Sequence, residues 1–345
     1  MPVDVMEVIN AESVSQYVTG MPKENKIGEA LFPRKKQMGI DITLIKGAKN
    51  KPVALRPSTF DVSVKLRSLR ADVKEETKEM PFFKEAVAIK ERDRQDLLLA
   101  MSGKNTQWRD MILDNIYNDT KCLVDGADIQ AERMRMQLIS EGKILVSTQD
   151  RDISFDYGFP VGHMETLSGT AVWSDTENST PIEDIMRWQD KVEEDTGVRP
   201  SRAVCTRKTF NYLKANKGAR LDIDRTGSTI ITDVIIKKYL NDKVGIVVEI
   251  VSGNFIAEDG SNQPYFPEDI FTLLPDGTLG RTYYGTTPEE ADLMTGNAAQ
   301  VAIVRDGIAI TTVKQTDPVT VVTKVSQITL PSFERIEEIF IARVK

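Results

Sequence analysis

The sequence predicts an α+β fold in which an α/β unit is inserted into a discontinuous outer domain. Three observations predict it. A proline-free run from Trp108 to Glu141 carries apolar residues near helical spacing, period-two segments occur over Ile40–Lys90 and again over Val301–Val344, and helix and strand signals alternate between Thr166 and Val251. A chain of 345 residues has the length for two or three compact units.

Residues 1–38 read as an arm. A short amphipathic stretch around Met6, Val8, Ile9, Val14 and Tyr17 is followed by Gly20, Pro22, Gly28, Pro33 and the basic triplet Arg34-Lys35-Lys36. Too few apolar residues are present for a core, so the segment is expected either to be disordered or to find order by lying on something else. Ile40–Leu44 and Phe60–Arg67 alternate as half-exposed strands, and the run Arg70–Glu79 is nearly all charged. The expected product is a polar two-strand ribbon that needs a partner to hold it.

The helix over 108–141 uses Met111, Ile112, Ile116, Leu123, Ile129, Met134, Met136, Leu138 and Ile139, with Gly142 as its stop and Gly126 as a candidate bend. Strands are expected at Ile144–Ser147 and Ile153–Tyr157. Thr180-Pro181-Ile182-Glu183 reads as an N-cap, a proline at the first helical position and a first-turn carboxylate, opening a helix that ends at Thr196 before Gly197. A strand at Ala203–Thr206, helices at Arg207–Ala215 and Ile230–Leu240, and a buried strand at Gly245–Val251 follow, then alternating segments over Val301–Ile310, Thr311–Val325 and Ile336–Val344.

Composition excludes much chemistry. The 45 Lys+Arg against 52 Asp+Glu give a net charge of -7, unlike a protein whose main work is gripping duplex DNA by its phosphates. A single histidine, His163, removes most zinc and iron ligand sets, and it is expected at the surface or between domains. Cys122 and Cys205 form no Cys-x-x-Cys pair or disulfide framework, as expected of a chain made in a reducing cytoplasm. The start of the chain has no basic segment followed by an apolar run, and no stretch of about 18 apolar residues occurs, so neither export by that route nor a membrane partner is expected.

Candidate motifs fail in detail. Gly103-Lys104-Asn105-Thr106 ends like a phosphate-binding loop, but Leu98 stands where its first glycine is required. Asp222, Asp224, Thr226, Gly227 and Asp233 imitate a calcium loop, yet a short Asp replaces the bidentate Glu and Ile230 occupies a ligand position, so a surface turn is expected. The aromatic residues Trp108, Trp173, Trp188, Tyr283 and Tyr284 are dispersed among no basic patch, which points to packing and not to a stacking platform for single strands. No catalytic residue, metal ligand or cofactor site is expected.

The run Pro275-Asp276-Gly277-Thr278-Leu279-Gly280-Arg281-Thr282-Tyr283-Tyr284-Gly285-Thr286-Thr287-Pro288-Glu289-Glu290-Ala291-Asp292 resembles the segment near the C-terminus of lambda-type major capsid proteins, the capsid protein E family. Leu31-Phe32-Pro33-Arg34 before the first strands, Pro181–Asp195 followed by Arg202–Leu213, and the turn Arg220–Ser228 are similar to that family too, so that the resemblance covers roughly residues 30–345.

The resemblance implies a Hong Kong 97-like phage capsid fold. Mapped by pattern, it gives an N-terminal arm (1–48), an extended β-hairpin loop (49–92), a peripheral domain (93–165) with a long spine helix (105–141), an inserted axial α/β domain (166–300) and closing strands (301–345) that return to the peripheral domain. It further implies a non-enzymatic major capsid protein of a tailed bacteriophage, assembled in the host cytoplasm and residing in the virion as hexamers and pentamers of an icosahedral shell around packaged double-stranded DNA. Basic residues of the extended loop, Arg56, Lys65, Arg67 and Arg70, would form the assembly interface, and Gly126 the bend of the spine helix. Implied partners are a separate scaffold protein, a portal protein, a decoration protein at local threefold axes, and DNA through non-specific contact. An encapsulin-like nanocompartment shell and a soluble α/β enzyme built on the acidic 166–300 unit stand as alternatives.

Overall fold

A computed structural model describes residues 10–21, 26–46, 74–102, 106–147, 152–226, 230–257, 259–296, 300–305 and 307–345. In chain order the elements are α1 (Ala11–Gly20), α2 (Ile27–Leu31), β1 (Arg34–Lys36), β2 (Asp41–Lys46), β3 (Lys74–Glu79), β4 (Phe82–Ile89), α3 (Glu91–Ser102) and α4 (Thr106–Glu141). Then come β5 (Lys143–Ser147), β6 (Asp152–Asp156), a 3-10 turn (Val161–His163), β7 (Met164–Thr166), α5 (Pro181–Thr196), β8 (Arg202–Thr206), α6 (Arg207–Ala215), α7 (Lys217–Ile223), α8 (Asp233–Val244) and β9 (Val247–Val251). The chain continues through β10 (Asn254–Ile256), β11 (Asn262–Pro264), β12 (Ile270–Leu274), β13 (Thr282–Tyr284), α9 (Pro288–Thr295), β14 (Val301–Val304), β15 (Ile308–Lys314), β16 (Val321–Pro331) and β17 (Phe340–Arg343).

Two compact units result. One comprises Met1–Ile42, Thr77–Met134 and Arg281–Ser332, the other Thr43–Glu76, Arg135–Gly280 and Phe333–Lys345. Helix α4 contributes residues to both, and it is helical throughout, Gly126 included.

In the first unit, β1, β13, β16, β15 and β14 lie in that order, and β4 pairs with β16 along its length, from Phe82 opposite Ile328 to Ile89 opposite Val321. Alternation along β15 and β16 turns Ile308, Ile310, Val321 and Val325 into a core shared with Leu123 and Val124 of α4. Helix α1 joins the same core through Ala11, Val14 and Val18, and Tyr17 stacks on Tyr117 with its hydroxyl donating to Asn118 Oδ1 at 3.0 Å. Residues 10–21 therefore do not await another molecule. Their apolar face, spaced i, i+3, i+7, is covered by the chain's own sheet, and Asn10 caps the helix by accepting from Ser13 N.

In the second unit the order is β7, β17, β12, β8, β9, with β8 and β9 parallel and β12 antiparallel to both β8 and β17. Trp173, Trp188, Phe271 and Phe340 stack at its centre with centroids 5.0–6.4 Å apart. The tail segment Ile336–Val344, expected among the closing strands of the outer domain, enters here as β17. Its Phe340, Ala342 and Val344 are apolar on the core-facing side, and that face is satisfied in this sheet.

Helix α5 has Pro181 at its start, Glu183 and Asp184 in the first turn and Gly197 left-handed at φ 78°, but the Thr180 side chain makes no capping hydrogen bond. Helix α8 begins at Asp233 and not at Ile230, because Thr232 accepts from Ile235 N and fixes the start there.

Candidate functional site

The Pro275–Asp292 run forms a hub. In the second unit Arg202 donates to the Pro275 carbonyl through Nε and Nη2 at 3.1 and 2.7 Å, and Arg335 donates to the Thr278 carbonyl at 3.2 Å. Gly277 takes φ 83° in this turn, a conformation costly for any residue with a Cβ.

The continuation of the run in the first unit gathers the N-terminal segment. Strand β1 pairs in parallel with β13, Arg34 opposite Thr282 and Lys36 opposite Tyr284, and Thr282 Oγ1 donates to the Phe32 carbonyl at 2.9 Å. Lys36 Nζ meets Glu290 Oε2 at 2.5 Å and the Gly285 carbonyl at 2.9 Å. Glu289 is held by Lys324 and by Ser326 Oγ at 2.8 Å. Burial pushes the Glu289 carboxyl up, but the Lys324 ammonium, a backbone N–H and the Ser326 hydroxyl outweigh it, and the group stays below the ordinary glutamate range.

Around Asp128 of α4 the same segment is locked by charge. Arg34 Nη2 reaches Asp128 Oδ1 at 2.5 Å, its Nε reaches Glu29 at 3.0 Å, and its guanidinium stands 5.1 Å from the Tyr284 ring centre. Arg305 engages the other oxygen of Asp128. Burial works against the Arg34 charge, yet Tyr284, Asp128 and Glu29 together raise its proton affinity above that of an ordinary arginine. One turn on, Glu132 accepts from Gly28 N at 2.9 Å. A Cβ at Gly28 would stand 2.6 Å from the Glu132 carboxylate, so that carboxylate would have to shift to admit one. Three segments distant in sequence, 28–36, 128–132 and 282–305, are thereby fixed to one another.

In the same unit, a cavity of about 360 Å³ has Val87, Ile89, Asp93, Ile112, Ile116 and Asp119 in its lining. Gly126, the expected bend, lies two residues before Asp128, and a Cβ there would meet nothing within 4 Å. Arg56, Lys65, Arg67 and Arg70 lie outside the described residues, as do Gly103, Lys104, Asn105 and Gly227.

His163 is not at the surface: it is 2 % exposed, stacked on Phe340 at 6.2 Å, with Nε2 3.0 Å from Asp195 Oδ2. That histidine, with Lys191, holds the Asp195 carboxyl below its usual range. The calcium-like residues disperse into other bonds. Asp222 accepts from Tyr239 and Lys243, Asp224 from Thr226, and Asp233 from Lys214 and Arg207. Among the described residues no cluster of His, Cys, Asp and Glu has the arrangement of a metal site. Burial pushes the Cys205 thiol up to about 12, so it stays protonated and is no nucleophile at neutral pH. No described helix is long and apolar enough to cross a membrane.

Comparison with known proteins gives one coherent answer. The family model of phage major capsid protein E matches residues 10–344. The fold is similar to that of a capsid protein of an Escherichia coli CFT073 prophage, with a TM-score of 0.63 at 15 % identity, covering 98 % of this chain and 99 % of that one. It is also similar to a phage-related protein of Bordetella bronchiseptica RB50, with a TM-score of 0.54 at 12 % identity and 97 % of each chain covered. No curated protein matches the sequence.

Proposed function

The chain belongs to the phage major capsid protein E family and is a phage shell protein of the virion, and from that premise we propose that its copies assemble as hexamers and pentamers of an icosahedral head enclosing packaged double-stranded DNA. The observation that carries this reading is the extent of the family match, which runs from residue 10 to residue 344 and so through both compact units. Neither unit is left over as an appended catalytic module.

The work of such a protein is interface geometry. Repetition around closed axes multiplies contacts that are each weak enough to break and reform, so errors are corrected during growth while the finished shell persists. In this reading the first unit serves as the peripheral domain, the second as the axial domain, and α4 as the spine. Arg56, Lys65, Arg67 and Arg70 of the extended loop meet acidic surfaces of adjoining copies. Gly126 is the point at which the spine bends when the head expands, since a glycine inside a helix lowers local helix stability by about 1 kcal/mol relative to alanine. A separate scaffold protein directs closure, a portal protein occupies one vertex, decoration protein binds at local threefold axes, and contact with DNA is non-specific and salt-sensitive.

The test is the content of particles formed by this chain in a host carrying the complete phage. Nuclease-resistant double-stranded DNA of uniform length inside them is the expected result. Particles that hold a protein cargo and no nucleic acid would refute the genome-enclosing role and leave a nanocompartment shell.

A further inference from the structure

The cavity of about 360 Å³ in the first unit lies where β4, α3 and α4 meet. Val87 and Ile89, two apart on β4, line it from the sheet, and Ile112 and Ile116, four apart on α4, line it from the helix. Asp93 and Asp96 enter the lining from α3 and Asp119 from α4. Among the described residues no Lys, Arg or His lines the cavity, and none of these carboxylates is ion-paired within the chain. A further polar group comes from the sheet. Thr323 of β16 lines the cavity beside Val87, its partner in the ladder with β4; it is 3 % exposed, and its hydroxyl has no hydrogen-bond partner among the described residues. Thr312, directly opposite it on β15, is as deeply buried, and its Oγ1 is likewise unpartnered. Thr120 of the same lining is unlike them, because its hydroxyl donates to the Ile116 carbonyl at 3.1 Å. Buried hydroxyls without a partner are rare in folded proteins and mark places where something else supplies the bond.

We propose that this cavity is a binding site for an aliphatic diamine of the putrescine type, its methylene chain against Val87, Ile89, Ile112 and Ile116, its ammonium groups met by Asp93, Asp96 and Asp119, and an N–H donated to Thr323. Unneutralised carboxylates around a low-dielectric cleft attract cations and repel phosphate, which rules out a nucleotide or a nucleic-acid backbone as the occupant. A bare divalent cation fits poorly. It needs converging oxygen ligands, and among the described residues these carboxylates do not converge as a metal site; the apolar lining would also offer it nothing. A diamine satisfies both halves of the lining, since each methylene it buries is favourable and each ammonium makes charge-assisted hydrogen bonds. The volume suits a small molecule, because such sites start at roughly 300 Å³. The inference stands on the cavity and does not depend on how copies of the chain assemble.

The test is isothermal titration calorimetry of the full-length chain with putrescine, at low ionic strength because Asp93 and Asp119 are exposed and open to screening by salt. Two other titrants separate the parts of the argument. Butylamine has the same hydrocarbon chain with one ammonium and reproduces a lysine side chain, and magnesium chloride supplies two charges without hydrocarbon. Three variants locate the site. Asp96→Asn and Asp119→Asn keep the side-chain shape and remove a charge, and Thr323→Val keeps the shape and removes the hydroxyl. Circular dichroism first establishes that each variant is folded.

Putrescine is expected to bind saturably at one molecule per chain, with butylamine and magnesium each about tenfold weaker or more. Each aspartate variant should weaken putrescine by about tenfold, the loss expected when one charged hydrogen bond is removed, and Thr323→Val by a few-fold. Heat that never saturates would overturn the proposal. So would magnesium that binds as tightly as putrescine, since the carboxylates would then be collecting charge alone. Butylamine that binds as tightly would show that the cavity reads a single ammonium, such as that of a lysine side chain, and the diamine assignment would fail. Folded aspartate variants that bind putrescine as the wild type does would place its site elsewhere. If a variant does not fold, the butylamine and magnesium comparisons still decide the matter, because they use the unaltered chain.

Discussion

Replacing Asp128 with alanine removes a carboxylate that two guanidinium groups share. Arg34 and Arg305 keep only 13 % and 18 % of their side chains accessible, and Asp128 keeps 11 %. At the effective dielectric of about 20 that suits such sites, each contact is worth about 4 kcal/mol of direct attraction, and much of this is offset by the water the three ions gave up. The variant keeps the desolvation of the two guanidinium groups and loses the attraction. Arg34 retains Glu29 and the Tyr284 face, which lowers the penalty, so the expected loss of stability is about 3 kcal/mol for the first unit.

The assay is native-state hydrogen exchange on the dispersed full-length chain, because denaturant unfolding of a two-unit protein need not be two-state. Amides of residues 26–36 and of α4 around 124–134 should exchange faster by roughly a hundredfold, while those of β8 and β12 in the second unit keep their rates. Sites this buried are weakly screened, so the effect should persist in 0.5 M salt. A loss under about 0.5 kcal/mol, the level of an exposed pair, would refute the claim that the Asp128 cluster ties the N-terminal segment to the long helix.

Gly28→Ala brings a methyl group to 2.6 Å from the Glu132 carboxylate. The expected cost is about 1–3 kcal/mol, read as early loss of protection at residues 27–31, and an unchanged exchange rate would contradict it. Gly126→Ala meets open space, so it should stabilise the dispersed subunit by about 0.5–1 kcal/mol and slow head expansion measured by time-resolved scattering. Expansion at the wild-type rate would remove Gly126 as the bend. Asp195, Asp222, Asp233 and Glu289 all titrate below their ordinary values when folded. Their contribution is therefore fully present above the unfolded carboxylate range and is lost as pH falls through the folded values. Stability should fall below about pH 4, and a thermal midpoint that stays flat from pH 6 to pH 3 would contradict this.

The legible parts of the fold are those with local causes. Helix α6 follows from a capping Thr206 and helical spacing, and α5 from Pro181 at one end and Gly197 at the other. Illegible parts have non-local causes. Strand β1 is the triplet Arg34-Lys35-Lys36, which no propensity marks as strand, and it is extended because β13 pairs with it. Helix α1 reads as coreless because its Ala11 and Val18 become core only when β14 and β15 arrive beneath them. The Asp128 and Glu132 carboxylates look like members of a solvated helix face, and their partners stand 94, 177 and 104 positions away. The Pro275–Asp292 run signalled its family by resemblance, but its physical role as a hub needed coordinates.

The most direct test of the central claim is electron microscopy of the purified full-length chain over a concentration series, with and without a co-expressed scaffold protein. Shells, tubes or ring-shaped capsomers that increase with concentration are the predicted result. A uniform small globular oligomer at every concentration, in both conditions, would contradict it.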